Sequence, residues 1–144
     1  MSTEVDFKKI GDFLKGYDTI LFALVFGSTA AGRSNRLSDV DIGIYTEAEI
    51  TLLEMGIIIA GLEKIVRKKV DLVILNDLYK KRPKFSFQVI SSAKLLFTKN
   101  DDVFVNFKRN VFLYYIDARP LIETVDKSII KRIETGHFGE RNYA

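Results

Sequence analysis

Residues 27–45 of the chain, GSTAAGRSNRLSDVDIGIY, carry the pattern that decides its fold. They follow a continuous apolar run, residues 19–26, that has the length of a buried strand and stops at Gly27-Ser28. They end in the alternating segment VDIGIY, residues 40–45, which is typical of a second strand. The stretch therefore predicts two strands joined through a glycine turn or a helix start.

A pair of carboxylates stands at the start of the second strand. Asp39 and Asp41 are two positions apart, so both side chains point to the same face of the sheet. Two adjacent carboxylates repel each other, and a bound cation is the chief means of stabilising them. Asp71 opens the next apolar strand, residues 70–75, from which it can join the pair. The three carboxylates predict a site for one or two Mg²⁺ ions roughly 3.5–4 Å apart.

The glycine turn predicts a seat for phosphate beside those carboxylates. Gly27 lets the backbone approach a ligand closely, and N–H groups at a helix start, helped by the Ser28 hydroxyl, bind phosphate oxygens. Gly32 gives the following loop the freedom to return toward the strand. A phosphate seat next to carboxylate-held Mg²⁺ is what the transfer of a nucleotidyl group requires.

The composition excludes most other chemistries. The chain has 144 residues, no Cys and one His, which rules out thiolate zinc sites, Cys nucleophiles, disulfides and poly-His metal centres. A net charge of +3 is too mild to argue for direct nucleic-acid binding. No apolar run approaches the length of a membrane span, and the opening MSTEVDFKK has no signal-peptide core, so we expect no membrane and a cytoplasmic protein.

The remaining periodicity predicts one α+β domain with a mixed sheet covered by helices. The expected order is α-β-β-α-β-α-β-α, with a core over residues 1–100 and a C-terminal helical extension of the same domain over 101–144. The Thr46-x-x-Glu49 capping box predicts the start of a helix that ends at Val66. The other predicted elements are a helix at 3–15 that stops at Gly16, a helical segment within 77–93, a strand at 94–98 and helix from Asp101 through Pro120 to Ile133.

These motifs together resemble the signature of the DNA polymerase β-like nucleotidyltransferase superfamily. The short chain is most similar to the minimal nucleotidyltransferases of the MNT type, which are often antitoxins paired with HEPN-domain toxins. The resemblance implies the nucleotidyltransferase fold. It also implies the following roles: Gly27 and Ser28 at the triphosphate, Asp39 and Asp41 on the metal, and Asp71 as a third metal-binding carboxylate that helps activate the acceptor hydroxyl.

One position departs from the family pattern. Many minimal members have Arg where this chain has Ala31, which removes a phosphate-contacting cation. Arg33 or Arg36 is the nearest substitute, and Arg33 is the predicted nucleotide-binding residue.

The expected function is the Mg²⁺-dependent transfer of AMP, or another nucleoside monophosphate, from ATP or another triphosphate to a hydroxyl. The resemblance implies that the acceptor is a tyrosine of a cognate HEPN toxin. A second hypothesis is a weak or inactive antitoxin, marked by Ala31, that neutralises its partner by contact through the C-terminal helices. A third, a small-molecule nucleotidyltransferase, normally needs a further substrate domain. The sequence is compatible with a homo-oligomer and does not determine its size.

Three other patterns have an ordinary structural interpretation. The basic run at 80–84 predicts a solvated loop. Asp77 is the alternative to Asp71 as the third carboxylate, but its position predicts a helix cap. Arg132 and His137 have the spacing of the HEPN ribonuclease motif, but nothing around them supports that role. The aromatic stretch 103–116 fits core packing as well as subunit docking.

Overall fold

The computed structural model describes residues 5–30 and 39–135, with the backbone alone at residues 28, 29 and 119–135. The helices are α1 Phe7–Lys15, α2 Gly27–Ala30, α3 Leu52–Val66, α4 Leu78–Lys81, α5 Pro83–Ser92 and α6 Asp101–Thr135. The strands are β1 Ile20–Phe26, β2 Val40–Thr46, β3 Val70–Ile74 and β4 Lys94–Thr98. No helix in these residues is both long and apolar enough to cross a membrane.

The four strands form one mixed sheet in the order β3-β2-β1-β4. Strand β1 runs antiparallel to β2 and to β4, whereas β2 and β3 are parallel. A parallel pair needs a crossover connection, and α3 supplies it between β2 and β3. This confirms the predicted α+β fold with a mixed sheet.

Strand β1 is apolar throughout because helices cover both faces of the sheet. Its residues alternate between two buried clusters: Ala23 and Val25 face the side packed by α1 and α3, while Phe22 and Leu24 face the side packed by α5 and α6. A strand that is buried on both sides loses the polar alternation of a half-exposed strand. The continuous run that the sequence shows at 19–26 is therefore the signature of a central strand.

The predicted capping box of α3 is wrong in its position. Thr46 is the last residue of β2, where its N–H donates to Asn76 Oδ1 at 3.0 Å and its carbonyl accepts from Asn76 Nδ2 at 2.6 Å. The helix begins five residues later than the motif predicts, with Thr51 as N-cap. Thr51 Oγ1 accepts from the Glu54 N–H at 3.1 Å, so the same Thr-x-x-Glu motif recurs there.

The segment 77–93 contains two helices rather than one. Pro83 occupies the first turn of α5, and the residue before a proline is disfavoured in the helical region, so the chain breaks at Arg82. Asp77 sits at the N-cap position of α4, but its side chain makes no capping hydrogen bond and instead pairs with Lys80 at 3.8 Å. Helix α6 passes through Pro120 without interruption to Thr135, and His137 lies outside the described residues.

The cap at Thr51 is open to a direct test. We expect Thr51→Ala to lower the free energy of unfolding by about 1 kcal/mol, because the Glu54 N–H loses its acceptor. Urea denaturation at pH 7 measures the loss, and Thr51→Ser, which keeps the hydroxyl, should retain most of the stability. Equal losses in both variants would contradict the capping role.

Candidate active site

The sheet brings the predicted carboxylates to one place through the register of β2. Asp41 is paired with Phe26, the last residue of β1, and on its other side with Asp71 of β3. Asp39 directly precedes β2, two positions before Asp41, and therefore shares its face. Gly27 follows Phe26 as the first residue of α2. The end of β1 and the starts of β2 and β3 thus meet at one edge of the sheet.

Gly27 is in close contact with the central carboxylate. Its φ is +73°, in the left-handed region that favours glycine. A Cβ added at this position would lie 2.5 Å from Asp41 Oδ2, so any side chain there would force the Asp41 carboxylate to move. The positive φ and the close approach to Asp41 therefore both favour glycine at residue 27.

A residue that sequence reasoning missed also holds this turn. The Gly27 N–H donates to Ser92 Oγ at 3.2 Å, and the same hydroxyl donates to the Gln88 carbonyl at 3.1 Å. Ser92 is the last residue of α5, 65 positions along the chain from Gly27. A serine at a helix C-terminus has no motif around it, so no local signal could have identified it.

The surroundings of Asp41 shift the pKa of its carboxyl group. Burial raises the pKa of the Asp41 carboxyl, and the negative charges of Asp71 and then of Asp39 raise the same pKa further. Asp41 and Asp39 are partly buried, while Asp71 is exposed. The charged form of Asp41 is therefore costly in this position unless a positive charge compensates it.

The donor set is suited to a hard cation. Asp39, Asp41 and Asp71 offer only carboxylate oxygens, which Mg²⁺ prefers, and the charges of Asp71 and Asp39 add to the effect of burial in raising the pKa of Asp41. Among the described residues, no group of three or more Asp, Glu or His side chains stands close enough together to hold a metal ion. The three carboxylates would therefore have to draw closer together to hold one ion between them.

Several predicted residues are only partly described or lie elsewhere. Ser28 is the second residue of α2, directly after Gly27, but only its backbone is described, and Arg33 lies outside the described residues together with Ala31. Asp77 follows β3 at the opposite end of the sheet from Asp71. It lines an open cavity of about 630 Å³ there, together with Thr46 at the end of β2. Asp77 is thus excluded as the partner of Asp39 and Asp41.

Comparison with protein families identifies the family of the chain. The family model "Polymerase beta, Nucleotidyltransferase" matches residues 8–102, which run from α1 to the start of α6. The chain belongs to this family. No match was found among curated proteins.

Solved structures support the same nucleotidyltransferase fold. A toxin–antitoxin with AMP-PNP superposes with a TM-score of 0.67 at 21% identity, covering 84% of this chain and 98% of that one. A tri-AMPylated Shewanella oneidensis HEPN toxin in complex with MNT antitoxin gives 0.61 at 18% identity, covering 86% and 98%. A MntA–HepT toxin–antitoxin gives 0.59 at 19% identity, covering 83% and 95%. At these identities the likeness establishes the nucleotidyltransferase fold.

The raised pKa of Asp41 predicts how stability depends on pH. The folded chain holds this proton more tightly than the unfolded chain does, so the stability of the fold falls as pH rises through the folded pKa. Asp41→Asn removes the buried charge and should raise the urea midpoint at pH 7, with a smaller gain at pH 4. Asp77→Asn, which only breaks an exposed ion pair, should change little at either pH. A lower midpoint for Asp41→Asn at pH 7 would contradict the argument.

The Ser92 contact predicts a second stability effect. Ser92→Ala leaves the part-buried Gly27 N–H without its acceptor and should cost about 1 kcal/mol of unfolding free energy. The matched control is Ser91→Ala, because the Ser91 hydroxyl also bonds to a carbonyl one helical turn back but is exposed and does not contact Gly27. We expect the Gly27 amide to exchange with deuterium faster in Ser92→Ala alone. Equal exchange in both variants would refute the contact.

Proposed function

We propose that this chain is a Mg²⁺-dependent nucleotidyltransferase that transfers AMP, or another nucleoside monophosphate, from a triphosphate to a hydroxyl. The observation that carries the proposal is the contact of the Gly27 backbone with Asp41, which is paired across the sheet with Asp71. A glycine turn that opens a helix offers N–H groups to phosphate oxygens. The carboxylates beside it then face the reacting phosphate.

The proposal gives each residue a role. Gly27 and Ser28 receive the triphosphate, and Arg33 supplies positive charge to it. Asp39 and Asp41 hold the metal, with Asp71 as the third ligand. When bound, Mg²⁺ offsets the charge that develops on the triphosphate and on the departing pyrophosphate.

The transfer itself needs one proton acceptor. The acceptor oxygen bonds to the α-phosphorus as the bond from that phosphorus to the bridging oxygen breaks, and pyrophosphate leaves. The hydroxyl proton passes to the carboxylate of Asp71, which is exposed and therefore accessible to an incoming acceptor. Asp39 and Asp41 are less exposed and remain on the metal.

We infer further that ATP is the donor and a tyrosine of a cognate HEPN toxin is the acceptor, so that the chain acts as an antitoxin. The fold likeness to an antitoxin complex with AMP-PNP, and to one whose HEPN toxin is tri-AMPylated, supports this inference.

Substitution of the carboxylates tests the catalytic proposal. Asp39→Asn and Asp41→Asn each keep the side-chain shape but remove a metal-binding charge, and each should lower AMP transfer at least about 100-fold. The assay incubates the chain with ATP, Mg²⁺ and the partner protein encoded by the adjacent gene, and reads the intact mass of that partner. Asp77→Asn, at the opposite end of the sheet, is the control and should retain activity. Full transfer by both catalytic variants would refute the proposal.

A second function is favoured by the surface of α6. Three apolar side chains on one stripe of this helix are exposed, namely Val105 at 60%, Phe112 at 40% and Ile116 at 58%. A non-catalytic antitoxin that neutralises its partner by contact would use such a stripe. In the same mass assay, a stable complex without an AMP increment would support this function, and an increment would support the enzyme.

A further inference from the structure

Helix α3 has the composition of a buried helix, but the described residues pack against it on one side only. Its sequence, LLEMGIIIAGLEKIV, is apolar around nearly the whole circumference. Only Ile58 and Leu62 are fully buried, where the helix packs against α1 and β3. A helix that is apolar all round is normally covered on every side, whereas a surface helix carries polar residues outward. We therefore expect a partner to cover the outer side of α3.

The exposed side of α3 forms a continuous apolar stripe. Leu53, Gly56, Ile57 and Ala60 follow one another at helical spacing, and all four are exposed; we call them the α3 stripe. Leu53 is 74% exposed and Ile57 is 54% exposed. A Cβ added at Gly56 would meet no atom within 4 Å, so nothing in the described chain covers the middle of the stripe. Gly56 and Ala60 are small enough to let another helix approach closely.

The charges beside the stripe are arranged to match a second copy of it. Glu54 lies in the first turn of α3, whereas Lys64 lies in the last turn, and both are exposed. In an antiparallel pair of α3 helices, Glu54 of each copy lies near Lys64 of the other, so the opposite charges meet twice. The antiparallel arrangement also sets opposite helix dipoles side by side. A parallel pair would bring like charges together.

We propose that the α3 stripe is a self-association surface, on which a second copy of this chain packs its own α3 stripe antiparallel about a two-fold axis near Ile57 and Ala60. The same surface serves both partners, as a two-fold dimer requires. Helix α3 covers one face of the sheet and α6 covers the other. The dimer therefore leaves the exposed stripe of α6 accessible, and it does not depend on the proposed catalytic function.

A charge in the centre of the surface should break the dimer. Sedimentation equilibrium of the full chain should show a monomer–dimer equilibrium, and Ile57→Glu should raise the dissociation constant of the dimer at least about tenfold. The control is Val105→Glu, which makes the same change at an exposed apolar residue of α6. A monomeric wild-type chain at about 100 μM would overturn the proposal.

Charge reversal tests the antiparallel direction. Glu54→Lys and Lys64→Glu should each weaken the dimer about threefold to fivefold, and the double variant should restore it. The two residues are ten positions apart, about 15 Å along one helix, so they cannot rescue each other within a single chain. Failure of the double variant to recover the dimer would overturn the antiparallel pairing.

The absence of cysteine from the sequence allows a third test without background. Ala60→Cys places a thiol near the axis, where two copies can approach to disulfide distance, and mild oxidation should give a cross-linked dimer. Val105→Cys should remain monomeric under the same conditions. If instead Ile57→Glu leaves the assembly of the chain alone unchanged but abolishes binding of the partner protein, the surface belongs to that partner and the proposal is wrong.

Discussion

The site depends on the backbone pairing of β2 with a strand on each side. Its antiparallel ladder with β1 sets Asp41 opposite Phe26, and therefore next to Gly27, while its parallel ladder with β3 sets the same residue opposite Asp71. A shift of either register by one residue would move alternate side chains to the other face and separate the carboxylates. The buried residues on both faces of the sheet hold this register, so the hydrophobic core determines where Asp41 and Asp71 lie.

The candidate site lowers the stability of the folded chain. Asp41 is partly buried beside two other carboxylates. The backbone next to its carboxylate is that of Gly27, which is in a left-handed conformation. The arrangement suits a bound cation, which would compensate the negative charges of the three carboxylates. Ser92 ties the turn to α5 and so limits how far it can move.

The two faces of the sheet offer different opportunities for binding. The α5 and α6 face supplies Ser92 to the candidate site and presents an apolar stripe on α6. The α1 and α3 face is farther from that stripe and carries the surface around Ile57. Separate surfaces would let one chain associate with itself and bind another protein at the same time. This separation follows from having helices on both sides of a single sheet.

The sequence alone determined the features that depend on neighbouring residues: the strands around residues 19–26 and 40–45, the spacing of Asp39 and Asp41, and the glycine that ends β1. The periodicity of apolar residues and the spacing of the two carboxylates are local features of the sequence. Local backbone geometry determines toward which face of the sheet each side chain points. It misplaced the cap of α3, because Thr46 and Thr51 carry the same motif and only the tertiary bond from Asn76 to Thr46 decides between them. Tertiary structure alone decided that Ser92 contacts Gly27, and that the described part of the chain covers the apolar α3 on one side only. Each of these depends on contacts between segments far apart in the chain, which no local pattern encodes.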